Sequence, residues 1–456
     1  MGTDAGLTVT EAVAEAATPP TPPPTSLTRT AWGGILLLAL IVLCGATTRT
    51  LFAPIQEVAK LSLGLSDFQI SLVQGIAAAV PVAIISLPLG WLADRATRTR
   101  ILIGLAIAWT VGTIATAFAP NFEMLFLARM LAGVGGTCVV PVAISVAADM
   151  SLPASRGRSL LFLSMGNVFG GAAAFVAGGA LFTLFSGQVD LPFVQLEAWR
   201  EVCLLLGVLS AILILPLLAL AEPARQEVEQ VNASFRAMTS ALWRRRAFLA
   251  PLFVGQITVT MADVAATIWA APVLSRDFAQ SPGQAAALIG GVLLIAGVVG
   301  SIMGGVVADW GHKRNLRGGV LIGAVGAAAI GVPAGLFPIM TDTTMFGLVL
   351  LILMISGTVC GLVTATAIAV LVPNEERGTC LGAFMILGTL IGMGVSPILV
   401  SLGSQMLGGE AQLALSLAIV GVGVGVISLA GFVIAMFNAP GLKPSVPMAS
   451  HPADSL

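Results

Sequence analysis

The sequence predicts an all-α membrane protein of twelve spanning helices, arranged as two pseudo-symmetric bundles of six. Three observations predict this fold class: an apolar composition, twelve apolar stretches of spanning length, and a loop motif that occurs once in each half of the chain. Of the 456 residues, 57% are hydrophobic and only 9% are charged, and the mean hydropathy is +1.00. Soluble domains do not have such a composition, so the chain is expected to lie in a bilayer.

The apolar stretches are long enough to cross the roughly 30 Å hydrocarbon core, which takes about 20 residues of helix. In the first half they are predicted at residues 32–55, 69–92, 101–119, 122–148, 159–185 and 202–220. In the second half they are predicted at residues 248–273, 285–307, 320–340, 345–372, 379–407 and 413–437. The sequence therefore predicts an N-terminal bundle over residues 29–221 and a C-terminal bundle over residues 247–438.

Three polar segments lie outside the predicted bundles. Residues 222–246 are charged and form the predicted cytoplasmic linker between the halves. Residues 1–28, rich in Pro, Thr and Ala, and residues 439–456 lack apolar periodicity, and both tails are predicted to be disordered. The N-terminal tail also lacks the pattern of a secretory signal peptide, so membrane insertion is expected to begin with the first spanning helix.

A loop motif follows the second span of each half. It reads GWLADRATRTR at residues 90–100 and GGVVADWGHKR at residues 304–314. A second pair, PASRG at residues 153–157 and PNEERG at residues 373–378, follows the fourth span of each half. Such repeats predict a duplicated membrane bundle.

Each repeated loop sets a carboxylate beside a basic cluster. Asp94 and Asp309 can accept hydrogen bonds from a neighbouring helix N-terminus and pair with loop cations, and Gly90, Gly304 and Gly305 would let helices approach closely. The pattern predicts a conformational latch, with static bracing of the loops as the alternative. The predicted latch consists of Gly90, Asp94, Arg95, Arg98, Arg100, Arg156, Asp309, Lys313, Arg314 and Arg377.

Basic residues are distributed unevenly along the chain. Most of the 21 Lys and Arg residues fall in one alternate set of connections and in the two tails. Because cations accumulate in cytoplasmic loops, both termini are predicted to face the cytoplasm. Arg49 and Arg129 are exceptions, since they fall inside the first and fourth predicted spans at similar depths.

Two six-span halves, a charged linker and the GWLADRATRTR loop resemble the major facilitator superfamily, and the resemblance covers about residues 31–438. Within that superfamily, LSDFQISLVQG at residues 65–75, NFEMLFLARMLAGVGG at residues 121–136 and the PASRG element resemble bacterial Spinster-like members. The resemblance implies alternating access around a cavity lined by the first, fourth, seventh and tenth helices. It also implies a small-molecule substrate, a monomer and a bacterial inner membrane.

The two intramembrane arginines are the first candidate substrate-binding residues. Placing an arginine at the helix centre costs at least about 2.5 kcal/mol on insertion scales unless it meets a cavity or a partner. Bracing through backbone carbonyls or snorkelling is the alternative, and it is stronger for Arg129. Spinster-like relatives typically place acids where this chain has Thr48 and Gly136. This departure puts proton coupling there in doubt and favours an anionic substrate group as the missing charge.

Asp263 is the one acid well inside a predicted span of the second half. Gln256 and Thr260 lie seven and three residues before it, so all three are predicted to share a helical face and one cavity. Asp263 is expected to titrate or to contact substrate, with an ion pair to Arg49 or Arg129 as the alternative. Trp269, further along the same span, is expected either to pack or to form a wall for an apolar ligand.

The sparse polar side chains in the spans favour an amphipathic or hydrophobic organic molecule, such as an organic anion or lipid-like compound, over a sugar. We therefore predict a secondary carrier, with H+ as a candidate coupling ion. A multidrug-type efflux pump and a non-transporting membrane sensor are the alternatives. An enzyme is disfavoured, because the two histidines lie outside the spans and no nucleophile has a plausible base. No cofactor, metal or nucleic acid is expected.

Overall fold

The computed structural model describes residues 31–152, 155–187, 195–225, 243–313 and 318–440. Within them, twelve helices are long and apolar enough to span a membrane, which confirms the predicted number. The predicted tails lie outside the described residues except for residues 439–440, and so do residues 226–242 of the predicted linker.

The N-terminal half contains six spanning elements, α1 to α6. Two of them are interrupted: α1 breaks at Leu51, and α2 contains a π-helical segment. Their bounds are α1, Ala31–Thr50 and Phe52–Leu63; α2, Asp67–Ser71, the π-helix Leu72–Ile76 and Ala77–Arg95; α3, Arg98–Ala117; α4, Phe122–Asp149; α5, Arg156–Ser186; and α6, Ala198–Leu218.

The C-terminal half contains α7 to α12. Short 3-10 turns flank α9 and precede α12, and α11 has a π-helical segment. Their bounds are α7, Arg246–Asp277; α8, Pro282–Lys313; α9, Gly319–Leu321, Ile322–Ala334 and Phe337–Ile339; α10, Thr343–Leu371; α11, Asn374–Leu387, the π-helix Gly388–Met393 and Ser396–Met406; and α12, Glu410–Gln412 and Leu413–Phe437.

Since the number of spans is even, α1 begins and α12 ends at the same face of the bundle. We call this the terminal face and the opposite one the distal face. Several spans that start at the distal face have side-chain caps: Ser66 and Gln69 form a capping box at α2, Asn121 caps α4 and Asp342 caps α10. Each cap satisfies amide groups that have no partner inside the helix.

The first helix extends farther than its predicted end at residue 55. It breaks at Leu51, where Pro54 supplies no amide proton for the preceding turn, and then continues to Leu63. The predicted span ended at residue 55 because Glu57 and Lys60 are charged. In the fold, Lys60 is buried beside Asp67. Arg49 therefore lies near the middle of α1, deeper than predicted.

The two halves meet along α5 with α8, α2 with α11, and α1 with α7. Glycines set the close approaches, because a Cβ at Gly290 would lie 2.6 Å from the Val176 side chain. At α2 and α11 the two π-helical segments face each other, and a Cβ at Gly75 would lie 2.7 Å from the Gly394 carbonyl oxygen. Small residues of this kind allow close helix packing in membranes.

The glycines of the repeated loop are not equivalent. Gly304 packs closely on α10, since a Cβ there would lie 2.8 Å from Leu362. At Gly90 and Gly305 a Cβ would meet nothing within 4 Å, and both residues are exposed. The predicted close helix approach is therefore wrong for Gly90 and Gly305 in this conformation, because these positions face outward from their helices.

Candidate functional site

Arg129 on α4 reaches across to the middle of α1. Its Nη1 donates to the Thr48 carbonyl oxygen at 3.3 Å, and its Nη2 donates to the Arg49 carbonyl oxygen. The guanidinium also lies 5.5 Å from the centre of the Phe52 ring. These carbonyls precede the break in α1, where regular helical bonding ends. The contacts match the bracing alternative, and they place both arginines at similar depth, as predicted.

Arg49 differs from its neighbour in its contacts. Its side chain is half-buried, and within the described parts of the chain it has no hydrogen-bond or ion-pair partner. Its Cβ lies close to Gly136 of α4, where a further Cβ would come within 3.0 Å. Gly136 is one of the two positions at which the resembled Spinster-like proteins typically have an acid. The glycine leaves room beside an arginine without supplying a countercharge.

Two other predicted substrate contacts are used for packing in this conformation. The Thr48 hydroxyl donates to the Cys44 carbonyl oxygen of its own helix at 3.0 Å. Trp269 is fully buried, and its indole N–H donates to the Pro397 carbonyl oxygen on α11 at 3.3 Å. Trp269 therefore fits the packing interpretation, because no part of its ring is exposed here.

Gln256, Thr260 and Asp263 make separate contacts in this conformation, and their common substrate cavity stays a prediction. Gln256 accepts a hydrogen bond from Thr364 on α10 at 3.0 Å, and the Thr260 methyl group packs toward Gly392 on α11. Among the three residues, only Asp263 lines the small cavity inside the C-terminal half. Side chains three and seven residues apart on a helix point in somewhat different directions, so they can contact two different neighbouring helices.

Asp263 also forms no ion pair with Arg49 or Arg129, so that alternative is wrong for this conformation. Its Oδ1 is buried without a hydrogen-bond partner. The acid lies against α10, inside its own half, rather than across the interface. Arg49 in the N-terminal half and Asp263 in the C-terminal half therefore each lie inside a span without an ion-pair partner among the described residues.

A charged network that the sequence did not predict closes the distal face. Arg276 on α7 binds both oxygens of Glu57 at 2.9 and 2.8 Å and both oxygens of Asp67 at 2.7 Å. Lys60 donates to Asp67 at 2.7 Å and also bonds to Glu410 at the start of α12. We call these five residues the distal network. Paired bidentate bonds of this kind are among the strongest charge-assisted contacts.

The distal network joins the halves, since Glu57, Lys60 and Asp67 belong to the N-terminal half while Arg276 and Glu410 belong to the other. A signal was present in the sequence, because five charges cluster in loops that otherwise carry few cations. Sequence reasoning missed the network because Lys60 and Glu410 are 350 residues apart along the chain. Only the fold brings them together.

A second layer of cross-half bonds lies beneath the distal network. The Gln56 amide donates to the Ile268 carbonyl oxygen on α7, and its Oε1 accepts from Gln74 at 2.8 Å. Ser401 on α11 bonds to Ser71 on α2 at 3.1 Å. The cross-half hydrogen bonds of Gln56, of Ser401 and of the distal network all lie at the distal end of the interface.

At the terminal face, the ion pairs of Arg98 stay within the N-terminal half and the start of the linker. Arg98 is buried and pairs with Asp149 at 2.5 Å and with Glu222 at 2.8 Å. Glu222 also accepts from the Thr99 amide at 2.8 Å. Burial acts to raise the pKa of Glu222, but the bonds from Thr99 and Arg98 hold it below its ordinary value. This cluster ties the start of the linker to the N-terminal half.

The C-terminal half has its own terminal cluster. Arg244 and Arg245 bind the two carboxylate oxygens of Glu376, at 2.8 and 2.7 Å. Hydrogen bonding to Arg245 is the largest cause that lowers the pKa of Glu376. Arg377 beside it donates to the Val372 carbonyl oxygen at 3.2 Å. These bonds of Arg244, Arg245 and Arg377 stay within the C-terminal half and the end of the linker.

The remaining predicted latch residues lie near these clusters. Arg95 stacks 4.2 Å above the Trp91 ring, Arg156 is partly exposed, and Arg100, Asp309 and Lys313 are exposed. Arg314 and the side chain of Asp94 lie outside the described residues. The latch therefore stays a prediction, and the cross-half ion pairs of the distal network lie at the opposite face.

Comparisons with known proteins agree with this architecture. An MFS-type efflux pump of Mycolicibacterium smegmatis is 25% identical over 383 residues, which are 83% of this chain and 86% of the relative. A probable sulfoacetate transporter, SauU of Cupriavidus necator, is 28% identical over 56% of this chain and 60% of its own length. A crystal structure of a bacterial homologue of the human lysosomal transporter Spinster, in an inward-facing and unoccupied conformation, superposes with a TM-score of 0.76.

That Spinster homologue is 22% identical to this chain, and the superposition covers 91% of this chain and 98% of the homologue. The likeness shows that the two proteins share a fold, as the sequence motifs predicted. The family itself is shown by sequence, since residues 38–397 match the Major Facilitator Superfamily. This family and this fold are those of transporters and not of enzymes. The chain is a multi-pass membrane protein that belongs to the Major Facilitator Superfamily.

Proposed function

We propose that this protein is a secondary active transporter of a small amphipathic or hydrophobic organic anion, or of a lipid-like compound with an acidic group. Alternating access moves the cargo, with residues 29–221 and 247–438 rocking as two bodies. The observation that carries the proposal is the Arg49 guanidinium, which lies near the middle of a membrane-spanning helix without an ion-pair partner among the described residues. A cation in that position can bind the negatively charged group of a substrate.

Arg49 and Arg129 take different roles in this proposal. Arg129 donates from Nη1 and Nη2 to the Thr48 and Arg49 carbonyl oxygens, and these bonds fix the break in α1 and orient Arg49. Arg49 keeps its guanidinium donors for the substrate, whose carboxylate, sulfonate or phosphate group can accept two parallel hydrogen bonds. Thr48 and Gly136 supply no acid that would compete with the substrate.

The rest of the proposed cargo is apolar. The described spans that surround Arg49 offer aliphatic and aromatic side chains such as Phe52, and the hydroxyl groups of Thr47 and Thr48 there are bonded to backbone carbonyl oxygens. The name of the C. necator relative specifies an organic sulfonate, which is consistent with an anionic cargo. The name of the M. smegmatis relative instead favours efflux of varied compounds, and this is the second candidate function.

A ligand screen followed by uptake into proteoliposomes tests the proposal. Lysolipids, fatty acids, steroid acids and aromatic acids are added to the purified protein, and any compound that raises its unfolding temperature is then tested for uptake. We expect an acid to stabilise and to be transported, while its neutral amide or ester is not. A neutral analogue that is transported as fast as the acid would favour the multidrug alternative. A ligand that binds without crossing the membrane would favour the sensor.

The variants Arg49→Gln and Arg129→Gln form a matched pair in this assay. Losing a charge-assisted bond to substrate is worth about 1.5–3 kcal/mol, so Arg49→Gln is expected to weaken acid binding at least about ten-fold with little loss of thermal stability. Arg129→Gln is expected to lower the unfolding temperature in the absence of ligand. Equal effects of the two variants on binding and on stability would contradict the division of roles.

Orientation and location are part of the same proposal. The concentration of cations at the terminal face supports a bacterial inner-membrane protein with both termini in the cytoplasm. The distal face would then lie outside, and the present conformation would open toward the cytoplasm. The terminal loops with Asp94 and Asp309 would form the predicted latch in the opposite conformation, when that face closes.

A further inference from the structure

Asp263 lies near the middle of α7, with its carboxylate against a glycine of α10. Gly357 leaves the space that the acid occupies, because a Cβ at this position would lie 2.6 Å from Cγ of Asp263 and still nearer to its oxygens. A larger residue at 357 would force one of the two helices to shift. The helices α7 and α10 therefore pack closely together at Asp263.

The carboxylate lines a cavity enclosed by α7, α9, α10 and α12. The cavity holds about 20 Å³, which is room for a water molecule. Its polar lining comes from Asp263, Ser356 and Ser428, and glycines and aliphatic side chains form the rest of the wall. Asp263 Oδ1 and Ser428 Oγ are both buried without a hydrogen-bond partner. Two unsatisfied oxygens at a water-sized space suit a proton and a water better than an organic ligand.

No cation reaches this carboxylate from the described helices that pack around α7. The segments 319–339 of α9, 388–406 of α11 and 410–437 of α12 contain no titratable side chain apart from Glu410 at the distal end. On α10 the titratable group near Asp263 is Cys360, whose thiol donates to the Ala324 carbonyl oxygen at 3.5 Å. Arg49, near the middle of α1, forms no ion pair with Asp263. The remaining charged groups on packed elements lie at the ends of their helices: Glu57, Lys60, Arg246, Arg276, Asp277, Asp309, His312, Lys313, Glu376 and Arg377.

An ionised and unpaired carboxylate would be costly here. Insertion scales give at least about 2.5 kcal/mol for a charge at the centre of a spanning helix, and a site that supplies no donor to the charge adds to this cost. A proton on Asp263 removes the charge and turns one oxygen into a donor. The geometry of the cavity therefore favours the neutral acid in this conformation.

The helix that carries Asp263 is also the helix that closes the distal face. The Ile268 carbonyl oxygen on α7 bonds to Gln56, and Arg276 on α7 binds Glu57 and Asp67. Opening the distal face has to break these bonds and release α7 from the N-terminal half. Because Asp263 fits the gap at Gly357 closely, a shift of α7 against α10 would change the water content of the cavity.

We propose that the cavity lined by Asp263, Ser356 and Ser428 is a proton-binding site, occupied in this distal-closed conformation. When the distal network opens and α7 shifts, the carboxyl O–H bond breaks, the proton passes to water, and the carboxylate keeps the electron pair. The site lies in the opposite half from Arg49, so cargo charge and proton are bound separately. Coupling to transport rests on the proposed function, whereas proton occupancy does not.

Infrared spectroscopy of the purified protein in lipid tests occupancy without any substrate. We expect a protonated-carboxyl stretching band at neutral pH that disappears in Asp263→Asn. Asp277→Asn, which removes an exposed acid at the end of the same helix, should keep the band. Absence of the band in the wild type, or its survival in a folded Asp263→Asn variant, would overturn the proposal whatever the cargo is.

A second measurement tests coupling in proteoliposomes that contain a transported acid. Asp263→Asn should retain exchange of labelled for unlabelled substrate but lose accumulation driven by a pH gradient. Accumulation equal to that of the wild type would show that the proton on Asp263 is not coupled. If the wild type itself moves no substrate, the proposed function fails, and the infrared result still decides whether the site holds a proton.

Discussion

The two faces of the molecule use the same kinds of side chain in different ways. At the distal face, Arg276 of the C-terminal half binds Glu57 and Asp67 of the N-terminal half. At the terminal face, Arg98 pairs with Asp149 of its own half and with Glu222 at the start of the linker. Buried ion pairs thus occur at both faces; those of Arg276 cross the interface, whereas those of Arg98 do not.

This difference determines what each cluster can control. A pair within one half moves with that half, so it contributes similar free energy to both conformations of a rocking carrier. A pair across the interface exists in one conformation and is lost in the other, so it changes their relative populations. The distal network is therefore expected to set the conformational balance, while the terminal clusters stabilise the separate halves.

The largest expected effect comes from Arg276→Gln. This change leaves Glu57 and Asp67 without their bidentate partner, and breaking a buried pair from one side costs about 3–5 kcal/mol. The distal-closed conformation should become less populated. A cysteine placed at the buried Ser71 should react with a thiol reagent more than about ten-fold faster in Arg276→Gln, and the five native cysteines, all buried, give little background.

The matched control is Arg98→Gln at the terminal face. It removes a buried arginine that also has two acidic partners, so it should cost about 3 kcal/mol of stability and lower the unfolding temperature. Because those partners lie on the same side of the interface, labelling at position 71 should stay at the wild-type rate. Faster labelling in Arg98→Gln would show that the clusters at both faces control the conformation.

A smaller effect is expected for the pair of Lys60 with Glu410. The Glu410 side chain is 43% exposed, and an exposed pair is worth about 1 kcal/mol or less. A double-mutant cycle with Lys60→Met and Glu410→Gln, read by the same labelling assay, should give a coupling of this size. A coupling as large as the Arg276→Gln effect would mean that the outer pair, rather than Arg276, dominates the network.

The smallest effect is expected at Glu376. Its bonds to Arg245 and Arg244 lower its pKa, so its stabilisation is complete above the ordinary value of about 4.3 and is lost as the pH falls through the lower folded value. Arg244 is 70% exposed, which limits the contribution to less than about 1 kcal/mol. Unfolding temperatures of Glu376→Gln and wild type should differ slightly at pH 7 and converge in acid.

The fold was predictable because its signals are local. Twelve apolar stretches and the repeated loops lie within short windows of sequence, and the bilayer allows a spanning segment little other than a helix. The end of α1 was predicted too early because Glu57 and Lys60 resemble a loop until their partners are known. Lys60 is buried beside Asp67, seven residues away, and Glu410, 350 residues away.

The residue types of the candidate site could be predicted from the sequence, but the directions in which their side chains point could not. The unusual Arg49, Arg129 and Asp263 were evident because charged groups are rare in spans. Which neighbour each side chain meets depends on a few tens of degrees of helix rotation, which periodicity cannot fix. Thr260 faces α11 while Asp263 faces α10 for this reason.

The most direct test of the distal network is a pair of spin-label distances measured on the same protein with and without Arg276. One label pair replaces Leu61 and Met406, exposed at the distal ends of α1 and α11. The other replaces Leu161 and Val306, exposed toward the terminal ends of α5 and α8. We expect Arg276→Gln to lengthen the distal distance and shorten the terminal distance together. An unchanged distal distance, or both distances growing at once, would contradict a network that holds two rocking halves closed at one face.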